Sequence, residues 1–259
     1  MIQAIGRETI RGVTHLLDTL AFFRRLSAKL YKRPRAGRKL VVRFTLEQIY
    51  FTAIESLPVL VFIALITGSM IIMQFAKHFS TLEGRAILGD LVVLLIIREL
   101  GPLFTALIVL LRSAVAATVE TATMKVTGEL EALELQGIDP LYLVGVPRLI
   151  GTTAAMLCLF IVFDIAAILG GYCIAWIATN MPLERFLEGV GQTISGIDIA
   201  VGIVKAALFG MTITVVSLYR GFSVAKAVTR VPIQTSKAAM ESLLYCVFVN
   251  IAVSVVFYV

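Results

Sequence analysis

The sequence predicts an all-α polytopic membrane protein. Of its 259 residues 59% are hydrophobic and only 15% charged, more apolar surface than a soluble domain of that size can bury. Stretches of about 20 apolar residues, enough at 1.5 Å per residue to cross a hydrocarbon core of about 30 Å, recur from Leu57 onward. Eleven of the 23 basic residues precede residue 50, beside the first apolar run, so the net charge of +6 suits a membrane surface and argues against nucleic acid.

Residues 2 to 30 have helical amphipathicity. At 100° per residue Arg7, Arg11, Asp18, Arg25 and Lys29 share a wedge, with Ile2, Ile5, Val13, Leu16, Leu20 and Phe23 opposite. This describes a helix lying on the membrane, although a soluble bundle helix has the same pattern; the adjoining Lys32, Arg33, Arg35, Arg38 and Lys39 favour the membrane. Pro34 and Gly37 break it before an amphipathic connector around residues 41–52. Residues 1–52 thus form one unit and 53–259 the transmembrane domain, with no cleavable leader expected.

Five spans follow, over about 57–76, 86–111, 149–178, 199–218 and 243–259. The third run is the ambiguous one: about 45 Å as a single helix, or two short helices hinged at Gly170-Gly171. Loop charge selects one helix. A single crossing keeps the basic N-terminus on the same, cytoplasmic, side as Arg220, Lys226, Arg230 and Lys237. The C-terminus is then outside, and the chain ends at its last span without room for a soluble catalytic domain.

Arg98 and Glu99 interrupt the second span roughly 12 Å from its outer end, where a charge costs at least about 2.5 kcal/mol. Adjacent residues point about 100° apart, so the two cannot pair face-on and at least one needs another partner or a ligand. Pro102 clashes with the Arg98 carbonyl and frees that acceptor, which predicts a kink. The pair either locks helices together or lines a wet cavity able to meet a phosphate headgroup. Asp164, Lys205, Glu55, Glu241 and Asn250 are the other polar residues in or near spans, and an Asp164–Lys205 ion pair is one arrangement open to them.

From Ser113 to Pro140 the chain carries Glu120, Glu129, Glu131, Glu134 and Asp139 against Lys125, with Val126, Leu130, Leu133 and Ile138 at near-helical spacing. That pattern reads as a helix with a docking face or as a solvated loop, with Gly137 and Pro140 as stop signals. Enzyme readings fare poorly. His15 and His78 are the only histidines, the cysteines Cys158, Cys173 and Cys246 lack metal-ligand spacing, and no phosphate-cradling G-x-x-x-x-G-K-[ST] occurs. No catalytic residue, metal site or cofactor is expected.

Arg98-Glu99-Leu100-Gly101-Pro102, then Glu120, Met124-Lys125-Val126-Thr127, Ala132-Leu133-Glu134 and Gly137-Ile138-Asp139-Pro140 resemble, in order and spacing, the MlaE-type permease family of phospholipid-trafficking ABC transporters. The resemblance implies an inner-membrane homodimer that sustains outer-membrane lipid asymmetry. Each copy would have an interfacial helix, five spans and a cytoplasmic coupling helix seated on a separate ABC ATPase that binds the ATP. An MCE-domain lipid-binding protein would lie on the periplasmic face, and a small STAS-type subunit could accompany the ATPase. It further implies a lipid pocket between protomers lined by Arg98, Glu99, Gln74, Met70, Phe75 and Phe79, with Arg98 on the headgroup. ATPase coupling would run through Glu120, Met124, Lys125, Glu129, Leu133, Glu134 and Asp139. The sequence departs from the family at Leu111, Ala114 and Ala122, where glycine is usual, and at Gly128, where an acid is. Other classes remain: an ion-coupled secondary transporter relaying through Arg98, Glu99, Asp164 and Lys205, or a membrane scaffold that transports nothing.

Overall fold

The computed structural model describes residues 2–32, 38–76, 92–179 and 182–258, and every regular element among them is a helix. Five are long and apolar enough to cross a membrane. Phe79, His78 and the start of the second span at 86–91 lie outside the described residues, as do most of the basic stretch at 33–37 and the side chains of Ile2, Ile5, Arg7, Arg11, Val13, His15 and Phe75.

Helix α1 covers Ile2–Lys32. Its second half does more than lie on a membrane. Leu26 is fully buried against Gly145 and Leu218, and Phe22 meets Tyr219 and Phe222 at ring-centroid distances of 5.8 and 6.0 Å. These contacts are those of a bundle helix.

Helix α2 (Arg38–Ile49) continues through a π turn at Tyr50–Ile54 into α3 (Leu57–Ala76), so the expected connector is the lower part of the first span. Nothing between Lys39 and Gln74 breaks a helix except Pro58, which stands at the second position of α3, where its missing N–H costs no ladder bond.

The described part of the second span opens on a π-helix, Val92–Leu100, and changes winding at α4 (Gly101–Val109), a π turn at Leu110–Ala114 and α5 (Val115–Val126). It therefore runs some fifteen residues past the predicted end, because the small residues Ala114, Ala116 and Ala117 offer no breaker before Gly128. Gly128 sits at φ +82°, the left-handed region glycine adopts without strain, which accounts for glycine in place of the family's usual acid. The segment 113–140 is thus not one helix: only α6 (Glu129–Leu135) stands apart. Gly137 (φ +75°) ends it in a Schellman motif, with Ile138 N–H donating to Leu133 O at 3.0 Å and Gly137 N–H to Glu134 O at 2.9 Å.

A π turn at Leu141–Gly145 leads into α7 (Val146–Thr179), a single 34-residue helix. Gly170 and Gly171 do not hinge it. A Cβ on Gly170 would sit on the backbone of Leu65, and one on Gly68 would sit on the carbonyl oxygen of Ala167, so these glycines let α3 and α7 cross backbone to backbone. The charged stretch after it is an amphipathic helix, α8 (Leu183–Thr193), that buries Phe186 and Val190. Helix α9 (Gly196–Phe222) starts with a capping box between Ser195 and Asp198. Helix α10 (Val231–Tyr258) starts a dozen residues before the predicted span. The main core joins Leu60, Ile96, Phe163, Phe209 and Cys246, one from each of the five spans.

Candidate functional site

The π-wound segment 92–100 of the second span presents Arg98 and Glu99 to α9 and α10. Each takes its own partner, as the divergence of adjacent side chains requires. Arg98 Nε lies 2.8 Å from Asp198 Oδ1, and Asp198 Oδ2 also accepts from Ser195 N at 3.0 Å in the cap of α9. Glu99 accepts from Lys205 Nζ at 3.1 Å, Ser254 Oγ at 2.7 Å and Asn250 Nδ2 at 2.6 Å.

Lys205 is 0% exposed and its ammonium also donates to the Arg98 carbonyl at 2.7 Å. That is the acceptor Pro102 was expected to free. Lys205 completes it from a neighbouring helix, and the ladder shifts from π to α winding where the sequence predicts a kink. A full ammonium donates more strongly than the missing amide would have done, which offsets part of its burial cost. Arg98 and Glu99 keep 27% and 33% side-chain exposure, so the network is closed on its inner side and open on its outer side.

Lys205 is not paired with Asp164. Asp164 Oδ1 instead packs on Gly101, leaving no room for a Cβ there, and it has no hydrogen-bond partner. The stacked rings of Phe104 and Phe163, 6.0 Å apart, sit beside it.

Met70 and Gln74 lie four residues apart on one exposed face of α3. Phe75 belongs to the same helix, and Pro102 is buried in the first turn of α4. Asp198, Asn250 and Ser254 escaped sequence reasoning as partners of the pair. For Asp198, the capping box Ser195-x-x-Asp198 was the signal that could have placed it at a helix start.

At the other end of the second span, about 42 Å along the rod from Arg98 to Val126 at helical rise, the predicted coupling residues divide. Glu120 binds Arg148 of α7 at 2.6 Å, and Asp139 binds Lys29 and accepts from Leu141 N at 3.0 Å. Met124, Glu129 and Leu133 line a cleft of about 600 Å³ between α2, α5, α6 and the start of α7. Lys125 is half-buried and Glu134 exposed. Leu130 of the expected docking face points inward, and Leu135, which helical spacing did not single out, is 90% exposed. Leu111 is exposed, while Ala114 and Ala122 are buried in helix contacts.

Lys226 reaches Glu131 at 2.6 Å, which ties the loop after α9 to α6. Its hydrogen bond and its charge hold the Glu131 carboxyl below the ordinary carboxylate value.

Comparison with known proteins gives a consistent result. The family model described as Permease MlaE matches residues 45–256. A probable ABC transporter permease protein of Rickettsia typhi is 30% identical over 238 residues, covering 92% of this chain and 90% of its own length. The intermembrane phospholipid transport system permease protein MlaE of Haemophilus influenzae is 27% identical over 243 residues, 91% of each chain. A probable ABC transporter permease protein of Pyropia yezoensis is 26% identical over 216 residues, 83% of this chain and 80% of its own.

Proposed function

Because this chain belongs to the MlaE permease family, we propose that it is the membrane subunit of an ABC transporter that moves phospholipid between the inner membrane and an MCE-domain lipid carrier, driven by a separate ATPase. The observation that carries this reading is the half-open charge network. Lys205, Asn250 and Ser254 hold Glu99 from inside the bundle while Arg98 and Glu99 stay accessible.

Two copies would enclose the pocket, with Met70, Gln74, Phe75 and Phe79 supplying its apolar and amide walls. Arg98, oriented by Asp198, meets the headgroup phosphate. Glu99 keeps a negative charge beside it that orients a zwitterionic head or gates its exit. Helix α6 presents Leu135 and its acidic neighbours to the ATPase, with a STAS-type subunit as a further possible member.

The end that carries α6, Lys226 and Arg230 is then cytoplasmic together with the N-terminus, and the C-terminus is periplasmic. ATP binding closes the ATPase dimer and squeezes the pocket, which demands that lipid bind the open form better than the collapsed one. The test is ATP-dependent transfer of labelled phospholipid by the purified complex, with Arg98→Ala and Glu99→Ala each expected to impair it at least tenfold. Unchanged transfer in both variants removes the pocket, and transfer that follows a proton or sodium gradient without an ATPase replaces the whole reading.

A further inference from the structure

A second place suited to an amphiphile lies on helices that carry neither Arg98 nor Glu99. Helices α1, α9 and α10 leave a groove of about 310 Å³ between them, walled by Leu16, Leu20, Leu208, Met211, Tyr245 and Phe248. Leu16, Leu20 and Phe248 are well exposed, so the groove opens sideways on the surface that five membrane-crossing helices turn toward lipid.

The slot is apolar and open along one side, so an extended alkyl chain can lie along it.

The groove is also polarised along its length. Beyond Tyr245, whose hydroxyl donates to Glu241 at 3.0 Å, lies the Arg220–Glu241 ion pair at 2.7 Å. The stripe Phe248, Tyr245, Glu241 runs on at three- and four-residue spacing to exposed Lys237, and the α1 stripe Leu16, Leu20 runs on to exposed Arg24. Helix spacing thus puts exposed Arg24 and Lys237 toward the end that holds the Arg220–Glu241 pair and Asp18, three cations against two anions. An apolar slot with a cationic mouth has the polarity of a phospholipid.

We infer that the α1–α9–α10 groove holds one acyl chain of a resident phospholipid whose phosphate is met by Arg24 and Lys237. The lipid mortars the interfacial helix to the fourth and fifth spans. This rests on residence in a bilayer and not on the transport reading, and it places the lipid on helices other than those carrying Arg98 and Glu99.

Trp176, the chain's one tryptophan, is exposed on α7 and reports ordinary boundary lipid. A Trp176→Phe/Phe248→Trp chain moves the indole to the groove's edge with little change in shape. Both full-length chains are reconstituted in phosphatidylcholine containing increasing phosphatidylglycerol brominated in mid-chain. The groove indole should be half-quenched at a mole fraction at least fivefold lower than Trp176 requires. Arg24→Gln/Lys237→Gln should abolish that preference and Thr212→Phe, which plugs the slot, should remove it as well. Adding Arg98→Ala should leave it intact, which separates this site from the transport pocket. Equal quenching of the two indoles overturns the inference, and so does a groove indole that brominated lipid never reaches, because protein then covers it.

Discussion

Where α3 crosses α7 the helices meet backbone to backbone: Gly68 lies against Ala167, Gly170 against Leu65, and Ser69 Oγ donates to Gly170 O at 2.9 Å. Where the 92–100 π-helix meets α9 and α10, the contact is made by long side chains, with Lys205 and Asn250 converging on Glu99. The first junction is dry and built from small residues, the usual device for helix association where lipid leaves no hydrophobic drive between helices. The second is charged and partly wet, expensive to place in a membrane and therefore a mark of function. One region gives up side chains to gain rigidity. The other accepts desolvation to keep polar groups near a surface.

Substitution should separate the two sharply. In the glycine crossing there is no space to relax into, so Gly170→Leu is expected to cost more than about 3 kcal/mol and to lower the amount of folded chain in the membrane severalfold. Detergent melting and membrane yield measure it, and a yield near wild type would mean that α3 and α7 part easily. At the charged junction, Glu99→Ala leaves the Lys205 ammonium buried without its counter-charge, at a cost of about 3 kcal/mol. A Glu99→Leu/Lys205→Met double substitution should melt higher than Glu99→Ala alone while transporting no better, and a double variant melting lower would assign the network to stability alone.

The smallest effect lies outside both junctions, at exposed Glu131 and Lys226. Folding lowers the Glu131 pKa from its ordinary value of 4.5, so the pair stabilises above that pH and its contribution fades as acid carries the carboxyl through its lowered pKa. Lys226→Gln should remove that part of the acid sensitivity and leave melting otherwise alike. An unchanged profile between pH 7 and about pH 3 would mean the contact is not kept in solution.

Much of the architecture was legible because membrane insertion obeys one-dimensional rules. Apolar run length located the five spans, and loop charge chose one helix over two for the third run, which α7 bears out. The ends were misjudged where helices continue past the apolar run. Val115–Val126 and Val231–Ser242 are helical without being apolar enough to count as membrane, and hydropathy measures solvent, not backbone.

At the site, adjacency and Pro102 were enough to foresee that Arg98 and Glu99 would diverge and that a carbonyl would need a donor. Which residue supplies it was not foreseeable. Lys205 is 107 positions away, and one lysine in an apolar run gives no sign of its partner.

The sequence by itself determined what solvent this protein lives in, how many times it crosses, and that two charges and a proline share a turn inside it. Each of those follows from local composition and the fixed rise and period of a helix. Only the tertiary structure decided that Glu99 and not Asp164 takes Lys205, that Gly170 and Gly171 seal a crossing, and that α1 leaves a slot against α9 and α10. Those outcomes depend on which helix faces meet, and the rotation of a helix that is apolar all round is set by close packing against its neighbours.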